Sequence, residues 1–334
     1  MHVNLVEEVI KDNYHIEFNN IKKIKNVYKI DNGHISYCLK VIKYDFNHFL
    51  FILNCIKHLQ HNGFNKIPEI IQTKNNKDYI KIENNYAYMT PWINSRECNY
   101  NNPVDIATAA CELGQLHKKS KGFYLTKDMN PRIGWFKWPN TFNTRIKEIL
   151  DFKDRIFKKY KMDEFDKLYL EVMEEEINIA RDSINSLLKT EYFNKMSEEI
   201  KLKGFCHHDF AHHNVLIDKS GGVNIIDFDY CILDSKLHDL SSLMIRVMKN
   251  GKWDIDICKT ILNSYSKEET IDERDLPIMA SFIEFPQDYW QIGIQYYWEQ
   301  QPWSKEFFIN KLKKIEKDIE DRQEFVGDFR SFKY

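Results

Sequence analysis

Apolar residues follow two different spacings along the chain, and the change between them falls near residue 96. Val3, Val6, Val9 and Ile10 share one side of a short helix predicted over residues 3–11. Strand-like segments follow. Residues 15–18 and 26–30 read as the first two strands, with the lysine-rich segment 19–25 between them as a loop. Asp31-Asn32-Gly33 then turns the chain into a third strand within residues 34–44. Residues 46–62 pattern as a helix, and residues 78–82 and 86–89 as two further strands joined by Glu83-Asn84-Asn85.

Helical spacing takes over from residue 103. Ile106, Ala109, Ala110, Leu113, Leu116 and His117 form one apolar stripe over residues 103–119, which makes His117 a core histidine. Residues 122–138 are irregular and aromatic, a surface loop or a lid, and charged helices are predicted over 142–161, 164–188 and 193–201. A helix starts at Lys236, and residues 254–321 read as helices broken at Pro277, Pro286 and Pro302. Their dense aromatics, from Tyr289 to Trp303, suit core packing or a flat ligand, and residues 323–334 read as a short tail.

Composition narrows the class. The 334 residues carry 48 Lys and Arg against 50 Asp and Glu, a net charge of -2 that gives no support for a nucleic-acid or anionic-membrane partner. The acidic run Glu171, Glu174, Glu175 and Glu176 reads as a solvated helix face. Seven scattered cysteines without a CxxC pair are expected as buried free thiols of a reducing compartment. Residues 1–8 lack the basic-then-apolar order of a signal peptide, and no window approaches the roughly 18 apolar residues of a membrane span.

The stretch from Gly204 to Asp229 carries the chemistry. His207-x-Asp209 is followed five residues later by Asn214, and Asp227 ends a short apolar strand. Phosphoryl transfer from a nucleotide needs a carboxylate beside the attacking hydroxyl, plus an amide oxygen and a second carboxylate to hold magnesium. Asp209 fits the first role, and Asn214 and Asp227 fit the other two. Residues 214–218 and 223–227 read as paired strands across Lys219-Ser220-Gly221-Gly222, which returns Asp227 beside Asn214. Two rival readings remain: zinc held by His207, His208, His212 and His213, or Asp209 and Asn214 as turn caps.

His207-x-Asp209-x-x-x-x-Asn214 with Ile226-Asp227-Phe228-Asp229 resembles the catalytic and metal motifs of the aminoglycoside and choline kinase-like superfamily, itself related to protein kinases. Within it the chain looks most like the CotS-type spore coat proteins. The narrower resemblance rests on Tyr37-Cys38-Leu39-Lys40, Asn62-Gly63-Phe64, Thr90 to Glu97, Leu113-Gly114-x-Leu116-His117 and Leu237-His238-Asp239-Leu240. It implies an α+β, two-lobed protein-kinase-like fold, with a small β-rich lobe over 1–96 and a large, mainly helical lobe over 97–334.

The same resemblance implies ATP, or another nucleoside triphosphate, and Mg2+ as cofactors. Lys40 on the third strand would meet the phosphates, Thr90, Trp92 and Ile93 would form the adenine hinge, and His207 and Asp239 would brace the catalytic loop. It further implies assembly on the spore coat from the mother-cell cytoplasm, with an unidentified acceptor and other coat proteins as partners. The alternative is a metabolic small-molecule kinase of the choline, aminoglycoside or homoserine kinase type. Two departures stand out: the expected phosphate loop, 19–25, lacks glycine, and helix 46–62 offers no acid for Lys40, leaving it unpaired or paired elsewhere.

Overall fold

The computed structural model describes residues 3–333; Met1 and His2, the start of the expected leaderless N-terminus, and Tyr334, the end of the expected tail, lie outside the described residues. Helix α1 (Val3–Asn13) leads into β1 (Asn20–Ile24), β2 (Val27–Asp31) and β3 (Ser36–Ile42). Helix α2 (Phe46–His61) starts at Asp45, whose side chain accepts from the His48 N–H, and is followed by β4 (Ile80–Ile82) and β5 (Asn85–Pro91). These five strands form an antiparallel sheet in the order β1-β2-β3-β5-β4.

One face of the sheet is sealed by α1. Val6, Ile10 and Tyr14 pack there on Tyr28, Ile30, Leu39 and Met89. Strand alternation sends the neighbouring residues the other way: Lys40 pairs with Tyr88 and Cys38 with Thr90, so all four side chains share the opposite face.

Strand β6 (Ser95–Glu97) leaves this sheet and joins a second one. Helix α3 (Pro103–Ser120) follows, capped by Asn102, then α4 (Trp138–Phe157), α5 (Glu164–Leu188) with a full capping box between Asp163 and Asp166, and α6 (Tyr192–Leu202). Strands β7 (Val215–Asp218) and β8 (Val223–Ile225) form the hairpin predicted around Lys219 to Gly222, and β6 pairs with β7. The Asp218 side chain accepts from the N–H groups of Ser220 and Gly222 and so fixes that turn. Helices α7 (Lys236–Met248), α8 (Ile255–Tyr265), α9 (Asp275–Glu284), α10 (Gln287–Gly293), α11 (Lys305–Lys317) and α12 (Ile319–Ser331) complete the chain. No helix is long and apolar enough to cross a membrane among the described residues.

Several expectations change. Residues 15–18 form no strand, and the segment expected as a glycine-free loop is β1 itself, with its lysines on the sheet edge and a tight turn at Lys25 (φ 51°). An edge strand carries charge to prevent further pairing, which is why it reads as a loop. Pro277 sits in the first turn of α9, where a missing N–H costs nothing, and breaks no helix. Residues 323–331 belong to α12 and supply the buried Phe325, Val326 and Phe329. Glu171, Glu174 and Glu175 are exposed as expected, but Glu176 is buried and meets Arg322 at 3.0 Å.

Helix α3 packs closely on α8 through Gly114. A Cβ there would lie 2.6 Å from the backbone oxygen of Tyr265. Glycine to alanine inside a helix ordinarily gains up to about 1 kcal/mol. Here overpacking against backbone dominates, and Gly114→Ala is expected to lose about 1–3 kcal/mol in urea unfolding.

Candidate functional site

The site is built on two short loops held by one buried carboxylate. Asp239, in the first turn of α7, accepts from the backbone N–H of His207 at 2.6 Å and of His208 at 2.8 Å, and meets His117 Nε2 at 3.2 Å. His117 Nδ1 in turn bonds the Tyr265 hydroxyl at 2.8 Å. Burial pushes Asp239 up, but its bonds with His117 and His238 outweigh this and hold it well below the usual carboxylate range. His117 is the expected core histidine, and it serves the loop through this contact.

His207 links the loops. Its Nε2–H points to the Ile226 carbonyl at 3.0 Å, while Nδ1 accepts from the Asp209 N–H at 3.3 Å. The Ile226 N–H donates to the Asn214 carbonyl at 3.0 Å, so Asn214 and Asp227 are neighbours as the hairpin predicts. His208 and Asp227 both take left-handed backbone conformations, each at φ 68°. Such strain persists only where surrounding bonds impose it, and here it turns each side chain out of the strand path.

Lys40, Thr90, Trp92, Ile93 and Asp227 line one cavity of about 170 Å³ between the large sheet and the β7–β8 hairpin. Lys40 Nζ lies 2.9 Å from Asp227 and 3.0 Å from Asp229. Its partner is therefore the motif's own second aspartate, which replaces an acid on α2. Burial alone would lower Lys40, yet Asp229 and Asp227 raise it above the ordinary lysine value. Burial pushes Asp229 up to about 6 despite Lys40. At the hinge, Trp92 donates its N–H to Ser36 O at 2.9 Å, so that donor is spent within the protein. The Trp92 ring also carries Lys29 at 5.2 Å, which makes it both cavity wall and packing.

Asp209 faces a second cavity, of about 500 Å³, on the α7 side. Its Oδ2 accepts from Asn214 Nδ2 at 3.1 Å and its Oδ1 from Arg246 at 2.7 Å. Asn214 also donates to the Asp209 carbonyl, which fixes its amide nitrogen and turns its oxygen away. That amide oxygen and the Asp227 carboxylate form an all-oxygen donor set, and one buried oxygen of Asp229 has no hydrogen-bond partner. Hard oxygens with no soft ligand suit magnesium. The four histidines do not converge: His212 and His213 are exposed, whereas His207 is buried and His208 stacks on His238 at 4.5 Å. The metal-capable trio among the described residues, His117, Cys206 and Asp239, is consumed by loop bracing.

Arg246 and the role of Asp229 escape the sequence reading. Arg246 stands seven residues after Asp239, two turns along one face of α7, so helical spacing carries the signal. The segment 122–138 is anchored at its ends, with Phe123 buried and Trp138 Nε1 donating to Asp234 at 3.0 Å, while Tyr124 and Phe136 between them are exposed. Tyr289 and Tyr297 are core, and Trp290 is half-buried. All seven cysteines are free.

Asp239→Asn removes a buried charge from its partners and is expected to cost about 3–5 kcal/mol in urea unfolding. His208 gives a pH test. Burial, then His238, pushes it down to about 3. The unfolded chain protonates near pH 6.5 and the folded protein does not, so this contribution is whole above 6.5 and is lost as pH falls toward 3. His208→Asn, which tolerates the left-handed backbone, is expected to recover up to about 2 kcal/mol of the stability lost between pH 6.5 and 5.

Comparison with known proteins places the geometry. Residues 7–329 match the family described as "Spore coat putative kinase YutH". Spore coat protein S of Bacillus subtilis (strain 168) is 24% identical over 271 residues, covering 80% of this chain and 76% of that protein. Among solved structures, an aminoglycoside phosphotransferase from Alicyclobacillus acidocaldarius superposes with a TM-score of 0.84 at 21% identity, over 97% of this chain and 95% of the other. A spectinomycin phosphotransferase solved with AMP gives 0.70 at 16% identity, over 97% and 98%. At these identities the likeness shows the fold, which is kinase-like. The chain belongs to the YutH family of spore coat kinase-like proteins.

Proposed function

We propose that this protein binds Mg-nucleotide in the cleft between sheet and hairpin and transfers the γ-phosphoryl group to a hydroxyl of an acceptor held on the α7 side. The observation that carries this reading is the chain of contacts from Lys40 to Asp227 in the first cavity, through the Asn214 carbonyl that holds the Ile226 N–H beside Asp227, to Asn214 Nδ2 on Asp209, which lines the second cavity. Solved relatives of the fold include complexes with AMP and ADP, which supports a nucleotide as occupant.

Adenine would lie against the apolar wall of Tyr88, Thr90, Ile93 and Leu216, using the Trp92 carbonyl and the Ile93 N–H at the hinge. Lys40 is held by two carboxylates and would exchange them for phosphate oxygens. Asn214 and Asp227 would hold magnesium, whose charge neutralises the phosphates during transfer. Asp209 would orient the hydroxyl and take its proton as the new O–P bond forms and the bond to ADP breaks. For this, Arg246 swings off Oδ1 or shares it. Residues 1–96 would form the nucleotide-binding lobe with its hinge, and residues 97–334 would carry the catalytic and metal positions and hold the acceptor. Membership of a coat family and similarity to Spore coat protein S support assembly on the spore coat.

Mg-ATP at about 100 times its dissociation constant is expected to stabilise the fold by about 2.7 kcal/mol in thermal unfolding, and Asp227→Ala to erase that gain. No shift with any nucleotide would end the kinase reading. Asp209→Asn is expected to keep the shift while slowing ATP turnover by a factor of about 10² to 10⁴. Recovery of the protein from purified spore coats checks the location, and recovery solely from vegetative cytosol would contradict it.

A further inference from the structure

The cavity beside Asp209 has a charge pattern that selects its occupant. Its charged lining comprises Asp209, Asp288, Arg145, Arg246 and Lys249. Two of the cations are matched: Arg246 lies 2.7 Å from Asp209, and Lys249 3.1 Å from Asp288. Arg145 is not. Among the described residues it forms no ion pair with a carboxylate, and its side-chain hydrogen bond goes to the neutral Gln287. Its guanidinium carbon lies over Trp290, 4.4 Å from the ring centroid, and 5.9 Å from that of Phe285. Trp290 is itself anchored by a bond from Nε1 to Glu148.

The remaining carboxylate that acts on Arg145 is Glu148, which makes no ion pair with it, accepts from Trp290 Nε1 and does not line the cavity. His208 and His238 stack there, and His208 stays neutral to about pH 3. Tyr230, another wall residue, carries the guanidinium of Arg132 on its ring at 5.1 Å. Ser242, Gln287 and Gln291 supply neutral hydrogen-bonding groups. An arginine kept out of ion pairs, placed over an aromatic ring and largely removed from water is preorganised for an anionic group with two acceptor oxygens. A cationic acceptor would have to lose its water beside Arg145, with both wall carboxylates already engaged.

We propose that the acceptor is a polyhydroxylated small molecule bearing one anionic group, carboxylate or phosphate, which Arg145 clamps while a hydroxyl reaches Asp209. This rests on the phosphotransfer reading above and sharpens it. Binding of the anion to Arg145 involves no covalent change; the transferred phosphoryl group goes to the hydroxyl, whose proton passes to Asp209. Arg145 is thus a positioning and specificity residue.

The test is calorimetric titration of the full-length protein, with and without saturating Mg-ADP. The probes are D-gluconate and D-glucose 6-phosphate, with D-glucose as neutral control and choline and spectinomycin as cationic ones. One or both anions are expected to bind at least tenfold more tightly than glucose, and which of the two does so identifies carboxylate or phosphate. Arg145→Gln is expected to remove that preference and Arg145→Lys, which keeps the charge, to restore part of it; circular dichroism of both variants checks folding. Equal affinity for anions and glucose, absence of anion binding, a preference for choline or spectinomycin, or an unchanged preference in Arg145→Gln would each overturn the inference. Anion selectivity that survives while Mg-ATP gives no thermal shift would instead overturn the kinase reading and leave an anion-binding protein.

Discussion

The buried carboxylate of Asp239 is the constraint on which the site depends, because it holds two consecutive backbone N–H groups and a core histidine at once. A single ionised group in the interior is costly unless its lone pairs are filled, and here backbone donors and His117 fill them. The gain is positional. With the peptide groups of His207 and His208 pinned, the loop passes through a left-handed residue and presents Asp209 outward, while the His207 ring reaches Ile226 and fixes the neighbouring loop that ends in Asp227. Asp239 never faces either cavity, yet it sets the spacing between Asp209 and Asp227.

Lys40 illustrates how the opposite wall is clamped. Kinase-like sites hold this lysine with an acid on the adjoining helix. Helix α2 has none, and Asp229 takes over from the far side of the cleft. The bridge therefore joins the large sheet directly to the loop after β8, and its charges pull the two walls together. Two carboxylates around one lysine leave a surplus negative charge, which a divalent cation beside Asp227 would offset.

Much of this was legible in the sequence because it is local. The hairpin from Asn214 to Asp227, the helix stripe around Leu113 and the strand bearing Lys40 all follow from spacing and turn residues. What was hidden is non-local or disguised. β1 looked like a loop because an edge strand carries lysines, and α12 looked like a tail because its apolar residues are outnumbered by charges. The Lys40–Asp229 pair spans most of the chain, and neither residue announces the other. Arg145 stood in an ordinary charged helix, and only its position over Trp290 sets it apart.

The central claim is that Lys40, Asn214 and Asp227 form one nucleotide-and-magnesium site despite the missing helix acid. A crystal structure with Mg2+ and a non-hydrolysable ATP analogue tests it most directly. The account predicts the phosphates within hydrogen-bonding distance of Lys40 Nζ, and the metal bound by Asn214 Oδ1 and Asp227, with Asp229 still beside the lysine. Density for nucleotide elsewhere, or an empty cleft with Lys40 unmoved at saturating ligand, would contradict it.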